Sequence, residues 1–189
     1  MIDAWCRGAL RLLDGVNAVG VAMGYLAGLN FLLISLFITV DVLGRKFAGI
    51  SSAVTDEMGG YALVFGSTTA LSFAMATGAH VRIDILLPKF PPRLRAILNY
   101  VAYLGMAVFG ALLAHYSWKL ALESWEMDAR AMSFLRTPIC WPQGIMAFGF
   151  TMLAVQAGLM LAVALLESLR SRRLEDLRVL RMADLSEGL

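Results

Sequence analysis

The chain has 189 residues, of which 59% are hydrophobic and 16% are charged. Its mean hydropathy of +0.72 sets it apart from an average soluble domain, in which about a quarter of the residues are charged. The formal net charge of +2 is too small to indicate a nucleic-acid partner. The composition therefore predicts an integral membrane protein that does not bind nucleic acid.

Four apolar stretches are each long enough to cross a bilayer, because a helix needs ~20 residues to span ~30 Å of hydrocarbon. These stretches are residues 17–40, 58–79, 96–118 and 140–166. Unpaired backbone polar groups are costly in lipid, so each stretch is predicted to be an α-helix. We expect an all-α integral membrane protein with four transmembrane helices in one bundle.

Basic residues are distributed unevenly between the two ends of this bundle. The N-terminal segment (1–16), the loop after the second span and the tail (167–189) together carry most of the arginine and lysine residues. Cytoplasmic loops are enriched in these residues, so both termini are predicted to be cytoplasmic. Before the Pro91-Pro92 start of the third helix we expect a short segment that lies in the membrane interface.

Small residues recur every four positions in the first two spans, which gives each helix a flat stripe. The residues are Gly20, Gly24 and Gly28 in the first span, and Gly66, Ala70, Ala74 and Gly78 in the second. Such a stripe lets another helix approach closely, and van der Waals packing drives helix association in lipid. The stripes predict either packing inside the bundle or an interface with a second membrane protein.

The four spans contain no Asp, Glu, Lys or Arg. Pumps, proton-coupled carriers and channels place ionisable groups at membrane depth, so the sequence argues against a self-sufficient transporter. A homodimeric small exporter is the alternative, but it needs an embedded carboxylate. A haem-binding anchor needs facing histidines, whereas His80 and His115 are predicted at opposite ends of the bundle. No catalytic, cofactor-binding or metal-binding residue is predicted.

Charged residues gather at the ends of the spans instead. The clusters are Asp41 with Arg45, Asp56 with Glu57, and His80 with Arg82 and Asp84. The spacing of four favours an Asp41–Arg45 pair on one helix face. Thr55 is a candidate N-cap of the second helix, and two acidic residues suit its first turn. These clusters predict helix capping and interface anchoring, or patches offered to a partner.

A further group of polar and aromatic residues forms a predicted outer rim. It comprises Glu123, Glu126, Asp128, Arg130, Arg136 and Trp141. The apolar spacing predicts that the third helix continues to about Met132, with Glu126 and Arg130 paired on its surface. Trp118 and Trp141 are predicted to lie in one aromatic belt. The rim is either a ledge that receives a soluble partner or a solvated helix end.

Four motifs stand at the ends of the spans: "DVLGRKF" (41–47), "VTDEMGGY" (54–61), "TGAHVRID" (77–84) and "RTPICWPQG" (136–144). In order and placement they resemble the small membrane subunit, the DctQ-like component, of tripartite ATP-independent periplasmic (TRAP) transporters. The resemblance covers residues 17–166.

This resemblance implies a multi-pass protein of the bacterial inner membrane that is not an enzyme. It implies a complex with a large multi-helix transport subunit, which carries substrate and sodium, and with a periplasmic solute-binding protein. The small subunit would be a fixed scaffold in contact with membrane lipids, and its outer residues would help to dock the binding protein. Substrates in this family are mostly organic acids, and other subunits select among them.

Overall fold

A computed structural model describes residues 2–50, 52–78 and 91–170 of the chain, and four α-helices account for most of them. The helices are α1 (Ile2–Ala48), α2 (Thr55–Ala76), α3 (Pro92–Glu126) and α4 (Cys140–Arg170). Over these described residues, the prediction of an all-helical fold with four helices is confirmed. The end of the bundle that carries the α1–α2 and α3–α4 loops is called the outer end here, after the predicted orientation.

Three of the described helices are long and apolar enough to cross a membrane: Gly8–Ala48, Ala96–Glu126 and Cys140–Leu166. Helix α2 is not among them, and its crossing stays a prediction. It carries more hydroxyl groups than the other helices, and those of Thr68 and Thr69 donate to backbone carbonyls one turn earlier at 2.7 and 2.6 Å. Because these groups are satisfied within α2, they do not oppose its burial.

The helices form two antiparallel hairpins, α1 with α2 and α3 with α4, and the hairpins meet through α4. Helix α4 contacts all three other helices, whereas α3 packs mainly on α4. A core of apolar residues occupies the inner half of the bundle. It includes Leu13, Met75, Tyr103, Leu153 and Val163, each at most 4% exposed. Helix α4 is therefore the central element, and α1 and α3 are peripheral.

Helix α1 is much longer than the stretch that hydropathy marks. It has 47 residues, or about 70 Å at 1.5 Å per residue, and it runs without a break through the predicted boundary at residues 16 and 17. Leu13, within the predicted N-terminal segment, is fully buried against the core. The segment before residue 17 is thus part of the helical bundle.

Three predictions about the helix ends are wrong. Helix α3 ends at Glu126, because the Asp128 N–H turns back to the Trp125 carbonyl and Asp128 itself has a φ of 44°. The expected pairing of Glu126 with Arg130 therefore does not form, and Arg130 binds Asp128 at 3.2 Å instead.

The second wrong prediction is the N-cap of α2. Thr55 is the first helical residue, and Val54 occupies the N-cap position with no side-chain capping bond. The predicted start of α3 is correct, since Pro91 is the N-cap and Pro92 follows it.

The third wrong prediction is the shared aromatic belt. Trp118 Nε1 donates to Thr151 Oγ1 at 3.0 Å, and Thr151 lies eleven residues into α4, or about 16 Å from its start. Trp141 lies in the first turn of α4, beside the end of α3. Trp118 is thus deeper in the bundle, and Trp125 is the α3 residue level with Trp141.

Candidate functional site

The glycine stripe of α1 lies against α2 along part of its length. A Cβ atom built at Gly20 would lie 3.0 Å from the Ser72 carbonyl, and one at Gly24 would lie 2.3 Å from the Phe73 ring. Gly28, the third member, meets nothing within 4 Å. The stripe therefore serves close helix approach at its inner two glycines, while Gly28 faces open space.

On α2 the close approach to α1 does not follow the predicted row. Gly66 receives the Phe31 ring of α1, which would lie 2.4 Å from an added Cβ. The α2 side chain that contacts Gly24 is Phe73, whereas Ala70 and Ala74 of the predicted row are half-buried. Gly78 has a φ of +71°, and an added Cβ would meet nothing within 4 Å. Gly78 thus terminates α2, because a left-handed residue after a helix favours glycine.

Two further close approaches involve α4 and depend on glycines that the sequence analysis did not single out. Gly149 faces Thr68 of α2, where an added Cβ would lie 2.7 Å from the Thr68 side chain, and a Cβ added at Gly110 of α3 would lie 3.2 Å from the Ala154 backbone. Each is a single glycine inside a long apolar helix. Such a glycine is itself a signal of close helix contact in membranes, even without a repeat.

The two hairpins meet at a buried polar cluster, which we call the inner node: Gln156, Ser72 and Asn17. One end of the Gln156 amide lies 2.9 Å from Ser72 Oγ, and the other lies 2.7 Å from the Asn17 amide. Gln156 is fully buried and Ser72 is 1% exposed. Gln156 lies sixteen residues into α4, about 24 Å from its outer end, so the node joins α1, α2 and α4 deep in the bundle.

Other polar residues of the spans also bond across helices. Asn30 donates to the Ala62 carbonyl at 2.8 Å, which ties α1 to α2, and the Tyr100 hydroxyl donates to the Ala164 carbonyl at 3.1 Å, which ties α3 to α4. Hydrogen bonds between helices are a common role of polar side chains within membrane spans.

At the outer end, the Asp41 carboxylate holds the α1–α2 loop. Its Oδ2 accepts from Arg45 at 2.8 Å, as the spacing of four predicted, and its Oδ1 accepts the backbone N–H of Ser52 at 2.5 Å. The Asp41 side chain is 4% exposed, whereas Arg45 remains 55% exposed. Asp41 therefore fixes the short loop between the helices of the first hairpin.

The Glu57 carboxylate makes an equivalent bond to the α3–α4 loop. The Tyr61 hydroxyl donates to Glu57 Oε1 at 2.6 Å, and the Ser133 hydroxyl donates to Oε2. The hydrogen bond from Ser133 lowers the pKa of Glu57 most, followed by that from Tyr61, and Thr137 lowers it further. Glu57 precedes the predicted second span. It is thus an ionised acceptor that joins the two hairpins at the outer end.

The α3–α4 loop (127–139) is itself ordered by backbone hydrogen bonds. Ala131 N–H donates to the Thr137 carbonyl and Ile139 N–H to the Ala129 carbonyl, both at 3.0 Å. Asp128 and Arg136 adopt positive φ angles of 44° and 50°. The loop therefore folds back on itself as one unit between the ends of α3 and α4.

The predicted rim residues are on the surface of this end. Glu123 is 3.7 Å from Lys119, and Glu126, Asp128, Arg130 and Arg136 are exposed, as is Trp141 at 67%. Large apolar side chains accompany them, with Phe47, Trp125, Met132 and Phe134 each at least 70% exposed. Asp56, beside Glu57, is exposed as well.

His80, Arg82 and Asp84 lie outside the described residues, as does the tail beyond residue 170. Within residues 2–50, 52–78 and 91–170, no group of three or more His, Cys, Asp or Glu side chains is arranged to hold a metal ion.

A family comparison agrees with this arrangement of helices and motifs. Residues 34–170 match the family described as DctQ, the DctQ component of tripartite ATP-independent periplasmic transporters. The match begins within α1 and continues to the end of α4. No curated protein and no solved structure matches the chain. Because the family match covers most of the chain, this multi-pass membrane protein belongs to the DctQ family of TRAP transporter components.

Proposed function

We propose that the chain is the non-catalytic scaffold subunit of a sodium-coupled secondary transporter for organic acids. It braces the large transport subunit in the bacterial inner membrane, and its outer end helps to dock the periplasmic solute-binding protein. The family match supports the assembly with two other transporter components, and the uncharged interior of the bundle supports the scaffold role.

The observation that carries the scaffold role is the neutral interior of the spans. No Asp, Glu, Lys or Arg lies within residues 17–40, 58–79, 96–118 or 140–166. A sodium or carboxylate pathway needs charged or converging polar groups at membrane depth. The buried amides of Asn30 and Gln156 instead bond neighbouring helices. A rigid bundle with these properties supports a moving partner and does not itself carry solute.

The peripheral helices leave wide apolar faces for such a partner or for lipid. Leu29, Leu32 and Leu36 of α1 are each more than half exposed. Between α1 and α3 an apolar groove of about 580 Å³ runs over α4, with Met23 and Trp125 on opposite walls. Surface of this kind is stable only against hydrocarbon or another membrane protein. The scaffold therefore has room for a large interface without any loss of its own core.

The proposal is tested by extraction of the chain in mild detergent from cells that also express the genes beside its own. We expect a tight one-to-one complex with a large membrane protein, and sodium-driven uptake of an organic acid only when both proteins and a binding protein are reconstituted. Recovery of the chain as a lone, monodisperse protein from such cells contradicts the scaffold role. Solute accumulation in vesicles that contain this chain alone would favour the homodimeric exporter.

The orientation follows from the basic residues and is tested separately. We propose that both termini face the cytoplasm and that α2 crosses the membrane as the second of four spans. A membrane-impermeant thiol reagent added to intact spheroplasts should modify a cysteine placed at Phe47 or at Met132 and leave one placed at Ser186 unmodified, in chains that lack Cys6 and Cys140. Labelling at Ser186 alone reverses the topology, and labelling at Phe47 and Ser186 but not at Met132 shows that α2 does not cross.

A further inference from the structure

We propose that the α3–α4 loop is a strap that fastens the outer ends of the two hairpins, with Glu57 as its catch. When the catch is removed, the hairpins part at the outer end, while the inner node keeps their inner ends together. The inference concerns a conformational device of this bundle, and it holds whether or not the proposed transport partners are correct.

The polypeptide connects the two hairpins at the inner end and not at the outer end. The α1–α2 loop and the α3–α4 loop each close one hairpin at the outer end, so no backbone connection links the two hairpins there. At the inner end, residues 79–90 join α2 to α3 covalently, and Gln156 bonds Ser72 of α2 and Asn17 of α1. The outer ends of the hairpins are therefore held together by non-covalent contacts alone.

The α3–α4 loop is folded as one unit. The bonds from Ala131 to Thr137 and from Ile139 to Ala129 fold it onto itself. Its apolar side chains contribute little packing, because Met132 is fully exposed and Phe134 is 80% exposed. A loop with internal bonds and little buried apolar surface opens readily as a unit once its polar fastening is lost.

The Glu57 carboxylate accepts hydrogen bonds from both hairpins. Ser133, between Met132 and Phe134, donates to Glu57 from the second hairpin, while Tyr61 of α2 holds the other carboxylate oxygen at 2.6 Å. Tyr61 thereby fixes the carboxylate where the loop meets it. Since a hydrogen bond to an ionised acceptor is stronger than one between neutral groups, Glu57 is a firm attachment at neutral pH.

The two hairpins leave an open space beside Glu57. A cleft of about 380 Å³ lies between α2 and α4 at this level, with Glu57, Tyr61 and Val64 on one wall and Pro142, Gln143 and Met146 on the other. The two hairpins are thus not closely packed at the point where Glu57 binds the loop. Parting of the outer ends widens an existing cleft and breaks little apolar contact.

The experiment measures two distances in the full-length chain by pulsed electron paramagnetic resonance, in a background with Cys6→Ser and Cys140→Ser. One label pair, at Lys46 and Leu122, spans the outer ends of the two hairpins. The other pair, at Leu12 and Leu165, spans the inner ends. All four positions are exposed, so the labels do not disturb the core.

Glu57→Ala is expected to shift and broaden the outer distances towards longer values and to leave the inner distances unchanged. Asp56→Ala is the matched control, because Asp56 precedes Glu57 on the same helix turn and is exposed; its distances should equal those of the parent.

Ser133→Ala combined with Thr137→Val removes both side-chain donors of the loop and leaves only the backbone hydrogen bond from Thr137 to Glu57, so it should shift the outer distances in the same direction as Glu57→Ala. This double variant also keeps the test open if Glu57→Ala does not fold. Unchanged outer distances in the variants that fold overturn the proposal. An equal shift of inner and outer distances also overturns it, since that result indicates a general loosening of the bundle.

Discussion

At the inner node the two hairpins are joined by uncharged groups from three helices, whereas at the outer end they are joined by a carboxylate and a loop hydroxyl. Gln156 is fully buried, and its neighbours Ser72 and Gly20 lie in the close seam of α1 and α2. Glu57 is only half-buried and stays ionised. One bundle therefore combines a buried, uncharged connection with an ionised connection that water and protons can reach.

The largest loss of stability is expected at the tightest contact between α1 and α2, which is formed by Gly24 and Phe73. Gly24→Ala places a methyl group 2.3 Å from the Phe73 ring, and overpacking of this kind costs about 1–3 kcal/mol. Gly28→Ala, one turn along the same stripe, meets nothing within 4 Å and should be neutral or stabilising, because alanine favours helix over glycine by about 1 kcal/mol.

Unfolding of the purified chain in mixed detergent and sodium dodecyl sulfate micelles measures both variants. Equal stability of the two alanine variants would show that the α1–α2 seam relaxes freely and does not set the position of Ser72.

The sequence predicts the centre of every helix and the starts of α3 and α4, but not the start of α1 or the end of α3. Apolar runs identify the lipid-soluble part of a helix, whereas α1 continues to Ile2 through Arg11 and Asp14, which are charged but compatible with helix. Polar side chains within the spans indicate that hydrogen bonds between helices are present. Their partners could not be predicted, because the bond between Gln156 and Asn17 joins residues 139 positions apart and depends on how three helices pack.

The outer end shows the same limit. From the sequence, a favourable interaction with the helix dipole explains the acidic pair at Asp56 and Glu57 as well as a contact with another segment does. Nothing in the neighbouring sequence distinguishes one residue from the other. Only the return of the α3–α4 loop brings Ser133 to Glu57, 76 positions away. The single-sequence reading therefore identifies the residues of the outer end but not which of them joins the hairpins.

The next largest loss of stability is expected when the hydrogen bonds of the inner node are removed. Gln156→Met keeps the volume but leaves Ser72 and Asn17 without their amide partner, and interhelical hydrogen bonds in membranes contribute about 0.6 kcal/mol on average and about 1.7 at most. The matched control is Gln143→Met on the same helix. Its Oε1 is buried without a hydrogen-bond partner among the described residues, so its loss should cost nothing.

The same unfolding assay, with a double-mutant cycle between Gln156→Met and Ser72→Ala, separates the bond from packing. A coupling energy near zero would remove Ser72 from the inner node. A Gln143 variant as unstable as the Gln156 variant would show that both glutamines act through packing alone.

The outer tie differs from the inner one in its response to pH. The hydrogen bond from Ser133 holds the pKa of Glu57 below its ordinary value, so the folded state favours the ionised form. The stabilisation is therefore fully present above the unfolded pKa of about 4.3 and is lost as the pH falls through the lower folded value. The Lys46–Leu122 distance should be constant across neutral pH and lengthen only in acid, with the Leu12–Leu165 distance unchanged.

Glu57→Gln separates this titration from that of other acids at the outer end, such as Asp41, because it removes the ionisable group at the catch and keeps its shape. The acid-induced lengthening should be absent in this variant. An identical pH profile in the parent and in Glu57→Gln would assign the transition to a different carboxylate.

The smallest effect is expected at Trp118, which lies between the two levels. Trp118→Phe removes the Nε1 donor to Thr151 Oγ1 but keeps most of the ring, and Thr151 still donates to the Ala147 carbonyl at 2.7 Å. A loss of about 0.6 kcal/mol is expected in the unfolding assay. Trp125→Phe, at a ring that is 70% exposed, should cost less. A larger loss of stability in Trp125→Phe than in Trp118→Phe would contradict this order. It would show that α3 depends on its outer aromatic ring, and that packing of α3 on α4 holds the two helices together without the hydrogen bond between Trp118 and Thr151.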